Sequence, residues 1–146
     1  MTETPHDLLN PDDLPRPIGY SHAVSAAPGR TVHVAGQIGE GPDGVPAGIA
    51  EQLDLACANV VTALRAAGGE PEHVVSMQIF TTDVEGYRAA SKEIGEAYRR
   101  HFGKHYPAMA LLGVAALFHP RATVELVCTA VIPEDDGQSS TEGERE

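Results

Sequence analysis

The chain has 146 residues, 42% of them hydrophobic and 21% charged, which is typical of one soluble globular domain with a sizeable core. Its formal net charge of −11 argues against a nucleic-acid partner, because phosphate contacts require clusters of Lys and Arg. No apolar run could span a bilayer, and the polar, Pro-rich start lacks the features of a signal peptide. We therefore expect a cytoplasmic protein with no membrane partner.

The first predicted elements are two short strands, Tyr20–Ser25 and Thr31–Gln37, which follow a flexible N-terminal arm over residues 1–16. The connecting segment AAPGR supplies Pro-Gly turn chemistry, so we expect the two strands to form a hairpin. The next segment, GEGPDGVPAG, is rich in Gly and Pro and is expected to be a loop.

Two helices are predicted from apolar residues at helical spacing. The first contains Ile49, Leu53, Ala56, Val60 and Leu64, and it is followed by Gly68-Gly69 as a stop. The second covers Val84–Phe102 and ends at Gly103, with an inner side formed by Tyr87, Ala90, Ile94, Tyr98 and Phe102.

Three further strands are predicted at His73–Thr81, Tyr106–Ala116 and Thr123–Ile132. The resulting order, β-β-α-β-α-β-β, indicates an α+β domain over residues 17–133, with a mixed sheet and both helices on one face. Residues 134–146 form an acidic tail that has almost nothing apolar to bury and is expected to be disordered.

The predicted strands carry apolar residues on both faces, as in VVSMQIF, MALLGVAAL and VELVCTAV. Helices cover only one of these faces, and a monomer would expose the other as a large apolar patch of the kind that marks an interface. We therefore expect a homo-oligomer in which sheets pack against sheets, and the alternative is a monomer with short exposed strands.

A carboxylate stands in the middle of the last predicted strand, HPRATVELVCTAVIP. An ionised Glu125 is costly among apolar neighbours unless it is paired, hydrogen-bonded or protonated. Two interpretations are open at this point: Glu125 lines a functional pocket, or it is structural and pairs with Arg121 or accepts backbone N–H groups.

Other chemistries find little support in the sequence. Cys57 and Cys128 lie in apolar runs and are expected to be buried, reduced thiols. His101 and His105 are four residues apart, but Gly103 should end the helix between them, so no metal site is expected. The chain also lacks a phosphate-binding glycine loop and the nucleophile elbow of serine hydrolases.

The motifs resemble those of a known family. In chain order, GYSHAV, VHVAGQIG, ANVVTALRAAGG, VVSMQIFTTDVEGY, YPAMALLGV and VELVCTAV look like the Rid family of reactive-intermediate deaminases, also called YjgF or L-PSP proteins. The resemblance implies a chorismate-mutase-like fold and a homotrimer whose three sheets form an inner barrel. It also implies ligand clefts between subunits and hydrolysis of enamines and imines such as 2-aminoacrylate, without metal or organic cofactor.

The resemblance also assigns roles to individual residues. Tyr20 matches the family's pocket tyrosine, and Gly36 matches the glycine whose backbone faces the ligand. Ala35 stands where many members have a hydroxyl, and Gln37 completes this set of substrate-binding candidates. Glu125 matches the glutamate that holds the attacking water or relays its proton, which implies a catalytic role.

One motif departs from the family pattern. Where the family has Pro-Ala-Arg, whose arginine clamps the substrate carboxylate, this chain has Pro107-Ala108-Met109. Met109 offers neither charge nor donor, so we expect an imine or enamine substrate different from 2-aminoacrylate, with Arg121 as the nearest candidate to replace the clamp. The rival hypothesis is a non-catalytic trimer that binds a small metabolite or a partner protein in the same clefts.

Overall fold

The computed structural model describes residues 3–134, which form two β-sheets and three α-helices. The elements, in chain order, are β1 (Asp7–Leu9), β2 (Ala23–Ser25), β3 (Gly29–Ile38), α1 (Ile49–Ala66), β4 (Val74–Thr81), α2 (Val84–Ala89), α3 (Ser91–Phe102), β5 (Ala108–Gly113) and β6 (Val124–Pro133). Nearly all of the predicted acidic tail lies outside the described residues.

The main sheet has four strands in the order β3-β6-β4-β5. Strand β6 pairs antiparallel with both β3 and β4, while β4 and β5 pair in parallel across the connection formed by α2 and α3. Parallel neighbours require such a crossover, and its helices return over one face of the sheet. The predicted α+β class, with a mixed sheet and helices on one face, is confirmed.

The core lies between this sheet and the helices. Helix α1 packs over β3 and β6, and α3 packs alongside α1. The apolar residues of α1 recur every three or four positions, so one side of it is buried, and its last turn is closed by Gly68, whose φ of 84° suits a glycine after a helix. The largest fully buried apolar side chains are those of Leu53, Val60, Leu64, Val74, Met77, Phe102, Val124 and Leu126.

A buried amide joins helix α1 to the start of β6. The Nε2 of Gln52 donates to the carbonyl oxygens of Pro46 at 2.8 Å and Arg121 at 3.1 Å, and its Oε1 accepts from the Thr123 N–H at 2.8 Å. Because the amide is fully hydrogen-bonded, its burial is not penalised. This contact holds the turn before β6 against α1.

The second predicted helix is interrupted at Ala90. Helix α2 begins after Asp83, whose side chain accepts from the Gly86 N–H at 2.9 Å, and α3 ends before Gly103, which has a φ of 60°. As expected, the helix end separates the two nearby histidines: His101 contacts Asp54 at 2.8 Å, whereas the His105 ring is buried against the Val74 carbonyl.

The predicted hairpin between the first two strands is wrong. Strand β2 pairs with β1 in a separate two-stranded sheet, and β3 pairs with β6, starting with Gly29 opposite Pro133. The chain bends at Pro28, immediately before β3 begins at Gly29, but this bend carries it from one sheet to the other. The edge of β2 is taken by the N-terminal segment, a long-range pairing that local turn chemistry does not encode.

The segment expected to be a flexible arm contains strand β1. The imidazole of His6 is buried beside it; Nδ1 accepts from the Ala27 N–H at 3.0 Å and Nε2 donates to the Val131 carbonyl at 2.9 Å. The Thr4 hydroxyl also donates to the Glu72 carbonyl at 2.8 Å. These contacts attach this part of the arm to β6 and to the turn before β4.

Both cysteines are free and buried, as predicted. Burial raises the pKa of Cys128 to about 12 and raises that of Cys57 as well, so neither thiol has thiolate character near neutrality. Within residues 3–134, no helix is both long and apolar enough to cross a membrane.

Burial of His105 predicts a pH dependence of stability. Burial lowers its pKa below the usual 6.5, so the unfolded chain binds a proton more readily, and stability should fall as the pH drops through and below about 6.5. The variant His105→Gln should therefore lose less unfolding free energy than wild type between pH 7.5 and pH 5, as measured by urea unfolding. The exposed His33, changed to Gln, is the control, and equal pH dependence in wild type and His105→Gln would contradict the prediction.

Candidate functional site

Strand β3 contains a β-bulge between Val34 and Gln37, close to its C-terminal end. Val34 pairs with Cys128 and Gln37 pairs with Leu126, so that Ala35 and Gly36 together lie opposite a single residue of β6. Such a bulge bends the strand and leaves backbone groups outside the ladder, and bulges occur frequently beside active sites. It separates the regular part of β3 from the loop that follows.

The side chain of Glu125 lies against this bulge. In the sheet, Glu125 is flanked by Ile38 on one side and Phe80 on the other. A Cβ atom on Gly36 would overlap the Glu125 Oε1 and lie 2.8 Å from its Cδ. Glycine at position 36 therefore leaves the space that the carboxylate occupies.

The Glu125 carboxylate has no partner among residues 3–134. It is half-buried, and it forms neither an ion pair nor a hydrogen bond with any side chain or backbone group in that range. Arg121 is exposed and does not pair with it. Within one chain, the structural interpretation of Glu125 thus lacks the contacts that it requires, and the carboxylate is free to bind water or a ligand.

Ala35 and Gln37 flank Gly36 along the bulged part of β3. The Gln37 Nε2 donates to the Ala35 carbonyl at 3.0 Å, which leaves its Oε1 without a hydrogen bond inside residues 3–134. Ala35 is exposed and has no hydroxyl to offer. We call the group formed by Ala35, Gly36, Gln37 and Glu125 the bulge site.

Met109 lies on the other face of the sheet. In β5 it is paired with Met77, a fully buried residue of the helix-covered face. It lines a cavity of about 370 Å³ under α3, which we call the Met109 cavity. Its lining comprises Ile18, Gly19, Leu53, Cys57, Met77, Ile79, Tyr87, Ser91, Ile94, Gly95, Tyr98, Arg99, Tyr106, Met109 and Leu126.

Most of this lining is apolar, and the phenols of Tyr87 and Tyr98 within it are neutral. Burial raises the pKa of Tyr87 to about 12 and also raises that of Tyr98, so both keep their protons at neutral pH. The Tyr98 hydroxyl is used structurally, since it donates to the His105 carbonyl at 2.5 Å. The lining also contains a cation, the exposed side chain of Arg99.

Tyr20 is held beside Met109. Ser21 forms a bridge to the start of β5: its N–H donates to the Pro107 carbonyl at 3.0 Å and its hydroxyl donates to the Tyr106 carbonyl at 2.6 Å. Tyr20 and Met109 accordingly line the same outer cavity, of about 350 Å³. These two site candidates are brought together.

The candidates nevertheless form two groups within one chain. Met109 faces the helices and Glu125 faces away from them. Two strand spacings and three residues of rise put their backbones about 14 Å apart, with side chains pointing in opposite directions. Arg121 is at the far end of the sheet from Met109, before the Val124–Thr81 pair, so it does not enter the Met109 cavity.

One helix face that lines the cavity was not among the candidates predicted from the sequence. Ser91, Gly95 and Arg99 of α3 all line it. Their spacing of four places them on one helix face, and a small residue between two polar ones on that face is a detectable signal. It was hidden by the stronger apolar pattern of Ile94, Tyr98 and Phe102.

Comparisons with known proteins agree with this fold. The family model described as "Endoribonuclease L-PSP" matches residues 13–132. A rat 2-iminobutanoate/2-iminopropanoate deaminase is 33% identical over 121 residues, covering 80% of this chain and 84% of its own. The bovine protein of the same name is 31% identical with the same coverage. A Rid-family protein of unknown function from Yersinia pestis superimposes with a TM-score of 0.76 at 29% identity, covering 87% of this chain and 98% of that one.

The chain belongs to the L-PSP family, whose members are also called Rid or YjgF proteins. The resemblance inferred from the motifs is thereby confirmed, and so is the fold that it implied. The assignment of roles to individual side chains is a separate question, which depends on how the two groups of candidates are arranged.

The contact between Gly36 and Glu125 gives a prediction. Gly36→Ala should move the carboxylate, because a methyl group at this position would overlap it. The carboxylate is the end of a flexible side chain, so we expect it to swing away with less than about 1 kcal/mol of lost stability. A crystal structure and urea unfolding of the variant would measure both effects. A carboxylate that keeps its position, with the backbone of the bulge shifted to make room for the added methyl group, would contradict the prediction.

Proposed function

We propose that the protein is a hydrolase of the enamine or imine deaminase type, acting on a small metabolite without a metal or organic cofactor. The observation that carries this proposal is the Glu125 carboxylate, which is half-buried, unpaired within residues 3–134, and held against a glycine bulge. The rat and bovine relatives, named as deaminases of 2-iminobutanoate and 2-iminopropanoate, support the same chemistry.

The chemistry requires a group of this kind. Hydrolysis of a C=N bond needs a water molecule placed near the carbon and a proton delivered to the nitrogen. A carboxylate can orient the water through a hydrogen bond and pass on its proton. Glu125 has no competing internal partner in the described chain, so its oxygens are free for this role.

Both groups of site candidates can serve one reaction only if two copies of the chain meet. Met109 and Glu125 lie on opposite faces of the sheet of one chain, so neither side chain reaches the other. The face that carries Glu125 also presents Phe80, Val127 and Leu112, and no helix of residues 3–134 covers it. We propose a homotrimer whose sheets cover this face, with each cleft combining the bulge site of one copy and the Met109 cavity of its neighbour.

The substrate should differ from 2-aminoacrylate. At the position of the family's clamp arginine, Met109 presents an apolar side chain to an apolar cavity. A small anionic substrate would lose a charge-assisted hydrogen-bond pair there and gain little from the cavity. A larger apolar substrate fits this lining better.

An RNA substrate is disfavoured, although the family description contains the word endoribonuclease. The chain has 21 acidic and 10 basic residues, for a net charge of −11. A polyanion would be repelled by this charge, and the four residues of the bulge site include no Lys or Arg for phosphate contacts.

The test of the proposal is Glu125→Gln. Gln keeps the shape and hydrogen-bonding capacity of Glu but cannot take up or release a proton in the working pH range. We expect an unchanged melting temperature and oligomer mass, with imine turnover reduced by at least about 100-fold in a coupled assay with freshly generated imines. Early melting with normal turnover would show a structural role, and no turnover in either protein, with altered ligand affinity, would show a binding protein.

The oligomeric state gives a second prediction. Light scattering coupled to size-exclusion chromatography should give three times the chain mass of 15.4 kDa. A charged residue on the uncovered face, in Val127→Glu, should dissociate the trimer, because it would place a charge in the packed sheet interface. The matched change Thr62→Glu, which adds the same charge at an exposed position of α1 away from that face, serves as control. A monomeric wild type at micromolar concentration would contradict the shared-cleft proposal.

A further inference from the structure

Arg99 is positioned at the Met109 cavity by a glycine one helical turn earlier. Its side chain folds back along α3, and the Nη1 lies 3.2 Å from where a Cβ atom on Gly95 would be. Long helical side chains lie over the preceding turn, so a small residue four positions earlier lets this guanidinium lie close to the helix. Gly95 and Arg99 both line the cavity together with Met109.

Arg99 also borders a second cavity whose lining includes Glu70 and Glu72, but neither carboxylate lies within ion-pair distance of it. Two other arginines nearby are paired: the Arg65 Nε lies 3.0 Å from Glu70 Oε1, and the Arg100 Nη2 lies 3.3 Å from Asp54 Oδ1. Arg99 forms no ion pair with any residue between 3 and 134. In a strongly acidic chain, an unpaired guanidinium at the edge of an apolar cavity is a site for an anionic ligand group.

The rest of the cavity suits an apolar body. At about 370 Å³ it falls in the range of small-molecule pockets. Met77, Ile79 and Leu126 line its floor, and Met109 extends this apolar surface where the family has an arginine. A cation beside an apolar chamber matches a ligand that has a carboxylate at one end and a hydrocarbon group at the other.

We propose that the Met109 cavity binds 2-oxo or 2-imino carboxylates with a large apolar side chain, and that Arg99 binds their carboxylate. The inference rests on the proposed function, since 2-oxo acids are the products of imine hydrolysis. Arg99 supplies the bidentate donor that Met109 lacks, from a helix instead of a strand. Because the carboxylate-binding arginine is on α3 and not at position 109, the floor of the cavity is free for the ligand side chain.

This arrangement also accounts for a glycine inside a helix. Gly95 is in the middle of α3, where glycine is less favourable than alanine. A methyl group there would press on the Arg99 guanidinium and shift it by a few tenths of an ångström from its position beside the cavity. Gly95→Ala should therefore raise the melting temperature while weakening carboxylate binding.

Calorimetric titration with three probes tests the inference: 4-methyl-2-oxopentanoate, its methyl ester, and pyruvate. Wild type should bind the branched acid more tightly than pyruvate. Arg99→Gln should weaken binding of the branched acid by about tenfold or more while leaving binding of the neutral ester unchanged. Arg99→Lys keeps the charge but loses the planar fork, so its affinity for the branched acid should lie between those of wild type and Arg99→Gln.

Arg88→Gln is the matched control, because Arg88 is an exposed arginine on α2 that lines none of the cavities described above. It should bind all three probes as wild type does, and melting temperatures would show that every variant is folded. Equal binding of the branched acid by wild type and Arg99→Gln would overturn the inference. Two results with wild type alone would also overturn it: binding pyruvate as tightly as the branched acid, or binding neither acid. Arg99-dependent binding without imine turnover would uphold the binding site and reject the hydrolase.

Discussion

The alternation of side chains along strand β6 determines the arrangement of the whole molecule. Val124, Leu126, Cys128 and Ala130 point toward the helices and are buried, so α1 and the core are built on this face. The intervening residues, Glu125 among them, point to the face that no described helix covers. Side chains alternate between the two faces of a strand, so a shift of β6 by one residue would move the buried set to the uncovered face and the other set to the helix-covered face.

Much of the fold could be predicted from the sequence, because its elements have clear local patterns. The periodicity of Ile49, Leu53 and Val60 specified α1, and the apolar runs specified β4 and β6. The pairing of β2 could not be predicted, since it depends on His6 holding the N-terminal segment across 125 residues of sequence to Val131. Local turn chemistry indicates only that the chain bends.

The candidate site was predicted in part. Gly36 and Glu125, two of the residues that the family resemblance singled out, lie against each other. The separation of Glu125 from Met109 was not predicted, because it follows from the register of three strands, and register is set by long-range pairing. Arg99 was missed because the stronger apolar pattern of α3 hides the helix face that it shares with Ser91 and Gly95, and only the fold shows that this face borders a cavity.

The two sheet faces assign different tasks to the two groups of residues. The bulge site offers an unpaired carboxylate and little apolar volume, whereas the Met109 cavity offers apolar volume and a cation. Neither group alone binds and hydrolyses an imine, because the first lacks a place for the ligand and the second lacks a group to handle protons. The proposed shared cleft would join both, and it would also explain why the uncovered face combines Glu125 with apolar neighbours.

Mixing two inactive variants tests this account most directly. Glu125→Gln disables the bulge site, and Met109→Trp fills the cavity, so each homotrimer should be inactive. Unfolding and refolding the two together in equal amounts would create clefts that combine an intact Glu125 from one copy with an intact cavity from another. A cleft is active only when its bulge site comes from a Met109→Trp copy and its cavity from a Glu125→Gln copy. Random assembly produces this combination in about a quarter of the clefts, so about a quarter of wild-type turnover should return. If both groups serve the reaction from the same copy, the mixture would remain inactive, and that result would contradict the shared cleft.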